Sequence, residues 1–290
     1  MLIYKQYNQE DLDRQYNNRL NAPDHEYHLQ QWELFNREAE RKYIVHKNIP
    51  YGGLEMEKLD IFPSEKPGAK TLVFIHGGYW YKSGPSDAYL VAEAFRAYGI
   101  TTVLIGYPLM PDFPMDQIVL SCRRAIGWVH TNIARYNGDA GQIFVAGHSA
   151  GGHLASMMMA ANRPQSDQKP DNKIIKGICA ISGLYNLLPI QLCYVNETLQ
   201  MDTAMAIRNS PVQLLPETTC PLLLAVGGEE TAEYKEQSRE LFNTWSAKNA
   251  DVRLLEIPGT NHFSILTSIL DRSSVLHSEL CGLMGVNSQG

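Results

Sequence analysis

Six short apolar runs, at residues 71–76, 101–107, 142–147, 174–182, 221–226 and 252–257, alternate with stretches able to form helices at 86–98, 115–136, 150–161 and 233–249. Runs that are apolar throughout, rather than at every second position, suit strands covered on both faces. Alternating with helices, they predict an α/β chain whose mostly parallel central sheet lies between helical layers. Two further strand-like stretches, 43–50 and 55–62, precede them, and Gly52-Gly53 between the two predicts a hairpin. Upstream, residues 8–42 read as helical. After Pro23 and the candidate N-cap Asp24, Leu29, Trp32, Phe35 and Ala39 recur near helical spacing. This N-terminal segment is expected to form a lid or simply a helix laid across the body. The interval 184–216 breaks the rhythm, contains Asn209-Ser210-Pro211, and is expected to be a small cap insertion within one domain spanning 1–290.

The 290 residues are 44% hydrophobic, enough for a sizeable core. A net charge of -6, with the signs mixed along the chain, argues against a nucleic-acid binder, which normally carries a basic face. No run approaches the roughly 18 apolar residues of a membrane span, and the N-terminus lacks the pattern of a signal peptide. The expectation is therefore a cytoplasmic protein that engages neither membrane nor nucleic acid. Five cysteines, an odd number without a CxxC, read as buried thiols rather than a disulfide framework or zinc site. HExxH, GxGxxG and GxxxxGK[ST] are all absent, so no metal or cofactor is expected. The oligomeric state is left open, a homodimer included.

The most specific chemical signal is Gly147-His148-Ser149-Ala150-Gly151. It matches G-x-S-x-G, directly follows the apolar run at 142–146, and directly precedes a helix-forming run at 152–161. That context is what a nucleophile elbow requires, because a serine on a sharp strand-to-helix turn tolerates only small neighbours. A second signal, His76-Gly77-Gly78-Tyr79-Trp80, closes an earlier strand. Acyl transfer builds negative charge on a carbonyl oxygen, and backbone N–H groups aimed at that oxygen stabilise it. The amides of Gly78, Tyr79 and Ala150 are the candidates, since glycines keep side chains away from such a loop.

A serine nucleophile needs a base, and in elbow proteins the partners follow in the order Ser, Asp or Glu, His. Three histidines follow Ser149 in the sequence. His153 lies one turn along the helix leaving the elbow and reads as a hydrogen-bonded packing residue. His277 sits in a terminal helical stretch. His262 follows the run 252–257 and the turn Pro258-Gly259-Thr260-Asn261, at a strand's carboxyl end where open α/β sheets place ligands, and is the expected base. The acid should close the preceding strand, where Glu229 and Glu230 compete.

Taken together, HGGYW at 76–80, GHSAGG at 147–152, GGEETAEYKEQSREL at 227–241 and NHF at 261–263 resemble the arylformamidase (kynurenine formamidase) branch of the α/β-hydrolases. The likeness spans roughly residue 43 to the C-terminus, and residues 12–19 are similar to bacterial esterases near that branch. The resemblance implies an α/β-hydrolase fold with Ser149 as nucleophile, His262 as base and the HGG loop as oxyanion hole. It favours Glu230 as the acid: the family places its acid three residues beyond the strand-ending glycine, here Gly227, ahead of a Glu-aromatic pair, here Glu233-Tyr234. This chain departs from the family in carrying Glu where Asp is usual.

The expected function is hydrolysis of a small carboxylic ester or aryl-amide through an acyl-enzyme. Trp80, Tyr107, Tyr185 and Tyr194 are candidate walls of a substrate pocket, alongside Tyr79. A dedicated N-formylkynurenine formamidase is the narrower alternative. A non-catalytic binding protein on the same fold is the remote one, since such proteins usually lack a catalytic residue and here every role is filled.

Overall fold

A computed structural model describes residues 1–160, 173–217, 220–248 and 250–287. Helices α1 (Gln9–Tyr16) and α2 (His25–Lys42) lead into strands β1 (His46–Pro50), β2 (Lys58–Phe62) and β3 (Ala69–Ile75). Then follow α3 (Leu90–Phe95), β4 (Thr101–Ile105), α4 (Met115–Asn132), β5 (Gly138–His148), α5 (Ala150–Met157) and β6 (Ile175–Ile181). Three short helices come next, α6 (Leu188–Leu192), α7 (Asn196–Leu199) and α8 (Thr203–Arg208). The chain ends with β7 (Leu222–Gly227), α9 (Ala232–Ser246), β8 (Val252–Ile257), α10 (Ser264–Thr267) and α11 (Val275–Met284). Of the helices expected at 150–161 and 233–249, residues 161 and 249 lie outside the described residues.

Among the described residues the strands form one sheet in the order β1-β2-β4-β3-β5-β6-β7-β8. From β4 to β8 every neighbouring pair is parallel. The expected hairpin adds β1 and β2 as an antiparallel edge. The alternation of the parallel strands explains the two cores. Val73 and Ile75 of β3 face one buried cluster with Leu154, Leu241 and Trp245, whereas Leu72 and Phe74 face the other with Phe95, Leu276 and Leu280. Successive strand residues point to opposite faces, so an apolar run is what a doubly covered strand requires. Each Leu or Phe so enclosed contributes roughly 1.5–3 kcal/mol relative to exposure.

This order puts β4 on one side of β3 and β5 on the other, so the chain reverses its direction across the sheet there. Registers of Ile75 with Gly147, His148 with Ile181, Ile181 with Ala225, and Gly227 with Ile257 bring five strand ends to one edge of the sheet. The carboxyl ends at such a switch point are where loops from adjacent strands converge on a crevice. Residues 184–216, expected as an insertion, hold the three short helices between β6 and β7. No helix among the described residues is long and apolar enough to cross a membrane.

Candidate active site

Ser149 sits at the tip of the turn from β5 to α5 with φ 58° and ψ -122°. A non-glycine residue held there stores about 1–3 kcal/mol, so its surroundings must enforce it. Its amide donates to the Ile181 carbonyl at 2.8 Å, anchoring the turn to β6. The glycines around it answer to backbone crowding. A Cβ on Gly151 would lie 1.9 Å from the Ile75 carbonyl oxygen, and one on Gly147 would lie 2.1 Å from that of Gly151.

The His262 Nε2 stands 3.0 Å from Ser149 Oγ, and its Nδ1 stands 2.7 Å from Glu230 Oε2. The other carboxylate oxygen of Glu230 accepts from the Gly227 amide at 2.8 Å and from the Ser182 hydroxyl. An ionised carboxylate accepts only, so Nδ1 of His262 is the donor to Glu230 and Nε2 is left to accept from the serine. All three side chains are buried, whereas Glu229 points to solvent. Between the two competing glutamates, it is Glu230 that reaches the imidazole.

The HGGYW loop follows β3 in an unusual backbone path: Gly78, Tyr79 and Trp80 all have positive φ, at 106°, 48° and 60°. Gly78 cannot carry a side chain, since a Cβ there would meet the Lys82 carbonyl oxygen at 2.3 Å. That carbonyl belongs to a turn closed by the Tyr81 and Lys82 amides, which both donate to the Gly78 carbonyl. Among the described residues nothing accepts from the amides of Gly78, Tyr79 or Ala150. Amides left in this state beside a serine hydroxyl form the type of site that receives an oxyanion.

Ser149 and His262 open onto a cavity of about 800 Å³. Tyr194 lines it, as does Tyr79, but the other expected pocket aromatics do not. Trp80 is fully buried, and its indole N–H donates to His153 Nδ1 at 3.1 Å. Tyr107 stacks on His76 with centroids 4.2 Å apart and donates to the His76 carbonyl at 2.9 Å, so it props the HGG loop from behind. Tyr185 is fully buried and donates back to the Ala180 carbonyl. These three are core residues, drawn inward because each hydroxyl or indole finds a buried partner. The walls that sequence reasoning missed are Trp32 and Phe263, whose rings lie 5.9 Å apart, and the α1–α2 connection at Asn17, Asn18 and Arg19. The N-terminal segment thus forms one side of the cavity. Asp24 does not cap α2 with its side chain; it accepts instead from Asn261 Nδ2 at 2.7 Å, beside the histidine.

Three further histidines lie nearby, each kept neutral by burial. His148 donates through Nε2 to the His262 carbonyl at 2.9 Å, and burial, with the adjacent His262, holds it well below the ordinary histidine range. His153 accepts from Trp80 and donates through Nε2 to the Asn209 carbonyl at 2.8 Å, a fully satisfied packing role. Burial pushes His76 and His153 each down to about 4. An unfolded chain keeps them near 6.5, so it binds more protons than the folded chain between those values. Their contribution to stability is complete above pH 6.5 and is lost as pH falls toward 4. The expected outcome is a stability that declines by on the order of 2 kcal/mol per pH unit near pH 5 from this pair. Denaturant midpoints measured from pH 7 to pH 5 check it, and His153→Gln should flatten the decline. An unchanged slope in that variant would contradict the assignment.

Among the described residues no group of three or more His, Cys, Asp or Glu is placed to hold a metal ion. The BD-FAE family profile matches residues 59–245. The chain is 31% identical to a kynurenine formamidase of Salmo salar, over 98% of this chain and 99% of that one. It is 26% identical to the esterase LipC of Mycobacterium tuberculosis, over 77% of this chain and 60% of that one. A crystal structure from Silicibacter, carrying a provisional thioesterase assignment, superposes with a TM-score of 0.80 at 26% identity, covering 92% of this chain and 97% of that one. A sheet with this strand order, a serine on a strained strand-to-helix turn and these matches have one common reading: the chain belongs to the BD-FAE family of the α/β-hydrolase superfamily.

Proposed function

We propose that the protein is a serine hydrolase that cleaves small carboxylic esters or aryl-amides through an acyl-enzyme. One observation carries this reading: the unbroken series from Ser149 Oγ through His262 to Glu230, all at hydrogen-bond distance. The serine hydroxyl attacks the substrate carbonyl while His262 Nε2 takes its proton, and Glu230 stabilises the imidazolium through Nδ1. The carbonyl oxygen, now negative, receives the amides of Gly78, Tyr79 and Ala150. His262 then returns the proton to the leaving alcohol or amine, and water releases the acyl group by the same steps. His148 stays neutral throughout, so no second positive charge opposes the imidazolium.

The narrower reading, a dedicated N-formylkynurenine formamidase, draws on the Salmo salar relative, whose likeness runs nearly end to end. An aromatic cavity wall at Trp32, Phe263 and Tyr194 suits an aryl leaving group in either version. Turnover of N-formylkynurenine compared with p-nitrophenyl esters of increasing acyl length separates the two. The broader reading expects measurable turnover on several short esters. Turnover confined to the formamide would replace it with the narrower one.

A further inference from the structure

Two buried tyrosine hydroxyls beside the site take no part in the reaction just described. The Tyr79 hydroxyl donates to the Tyr16 carbonyl at 2.7 Å and lies 2.9 Å from the Tyr234 hydroxyl. Asn18 Nδ2 donates to that same Tyr234 hydroxyl at 2.9 Å. A phenol has one proton to give. Tyr79 gives its proton to the Tyr16 carbonyl, so between the two phenols Tyr234 must be the donor. The direction is therefore fixed: Asn18 amide to Tyr234, Tyr234 to Tyr79, Tyr79 to the Tyr16 carbonyl. Burial raises both phenols above their ordinary range, so both are protonated at neutral pH.

This chain of donors begins at Asn18, on the connection between α1 and α2, and ends on Tyr16, the last residue of α1, and it touches both halves of the site. The Tyr234 ring lies against the His262 imidazole, with centroids 4.7 Å apart and planes at 57°. Tyr79, which lines the same cavity as Ser149, supplies one of the amides that lack an acceptor among the described residues. We propose that Tyr234 is a positioning residue for His262, and that the N-terminal segment, through Asn18 and Tyr16, holds the imidazole and the amide loop in a single register. The inference rests on the serine-hydrolase reading above. It also opposes the lid expectation. An opening segment would leave the buried Tyr79 hydroxyl without its acceptor, a costly state for a donor out of reach of water. It would further have to break the Asn261–Asp24 bond, which fastens the start of α2 to the histidine loop, and the 2.9 Å bond from Trp32 Nε1 to Thr267 Oγ1, which fastens α2 to α10.

Tyr234→Phe and Tyr79→Phe keep the rings and the backbone amides while breaking the donor chain. Each should lower kcat roughly tenfold with KM changed less than about twofold, the effect of loosening a reacting group's placement. Because either change ends the same chain, the double variant should lose about as much as one alone, not the product of the two. Tyr98→Phe, which removes the hydroxyl bond to His277 Nε2 on α11, outside the cavity lining, serves as the comparison; it should lower Tm while leaving kcat unchanged. The proposal is overturned if both tyrosine variants keep kcat within twofold while losing Tm as Tyr98→Phe does, or if their losses multiply. Ser149→Ala, run in parallel, separates the two levels of inference. Full turnover in Ser149→Ala sinks the hydrolase reading itself, whereas an inactive Ser149→Ala beside fully active tyrosine variants sinks the positioning role alone.

Discussion

Glu230→Gln is expected to lower kcat by about 10⁴-fold with little change in Tm. The carboxylate oxygen facing Gly227 and Ser182 accepts from both, so the amide oxygen of a glutamine settles there. Its NH₂ group then faces His262 Nδ1 and can only donate. Nδ1 becomes an acceptor, the ring proton moves to Nε2, and that nitrogen no longer takes the proton of Ser149. The tautomer is wrong although every atom is nearly where it was. Glu229→Gln provides the contrast. Its side chain is exposed, and among the described residues it is engaged through its backbone amide, which donates to the Thr260 carbonyl at 2.9 Å. That variant should stay within about twofold of the parent, as surface changes away from special features do. Steady-state kinetics on both proteins check the assignment, and a collapse of kcat in Glu229→Gln alone would contradict it.

That contrast also marks how far the sequence could be read. The alternation of apolar runs with helical stretches foretold the sheet because a strand buried on both faces has no polar side to disguise it. The hairpin of β1 and β2 was visible for the opposite reason, two short strands broken by adjacent glycines. Ser149 and His262 stood out because each follows an apolar run at a strand's carboxyl end, and the structure brings them within 3.0 Å. The acid was ambiguous because Glu229 and Glu230 are neighbours of one type. The family resemblance already favoured Glu230, and the turn after Gly227, which sends one side chain outward and the other toward the imidazole, supplies the physical difference between them.

The pocket was the part least legible in the sequence. Trp80, Tyr107 and Tyr185 have the composition of a substrate wall, but their polar tips have buried partners, 73 and 31 residues away for Trp80 and Tyr107 and five residues back for Tyr185, and these draw them into the core. The true walls come in part from the N-terminal segment. Trp32 was visible as one of the apolar positions of α2, but nothing local indicated that it would meet Phe263, more than two hundred residues away. Asn18 and Tyr234 escaped for the same reason, since their bond joins positions 216 residues apart. Ser182, which holds the Glu230 carboxylate, lay at the end of an expected strand with no pattern to mark it.

The largest effect expected is at the nucleophile. Ser149→Ala removes the only side-chain group in the series able to form the acyl bond, and comparable changes cost about 10⁶-fold in kcat. The fold should survive, because the hydroxyl is bonded to His262 and the strained turn is enforced by the neighbouring glycines. The most direct measurement is intact-mass and peptide analysis of the protein treated with a fluorophosphonate, alongside the turnover of Ser149→Ala. A single covalent adduct on Ser149 is expected, with none on the alanine variant and turnover in that variant near background. An adduct on another residue, or a Ser149→Ala protein that still hydrolyses its substrate at the parent rate, would contradict Ser149 as the nucleophile.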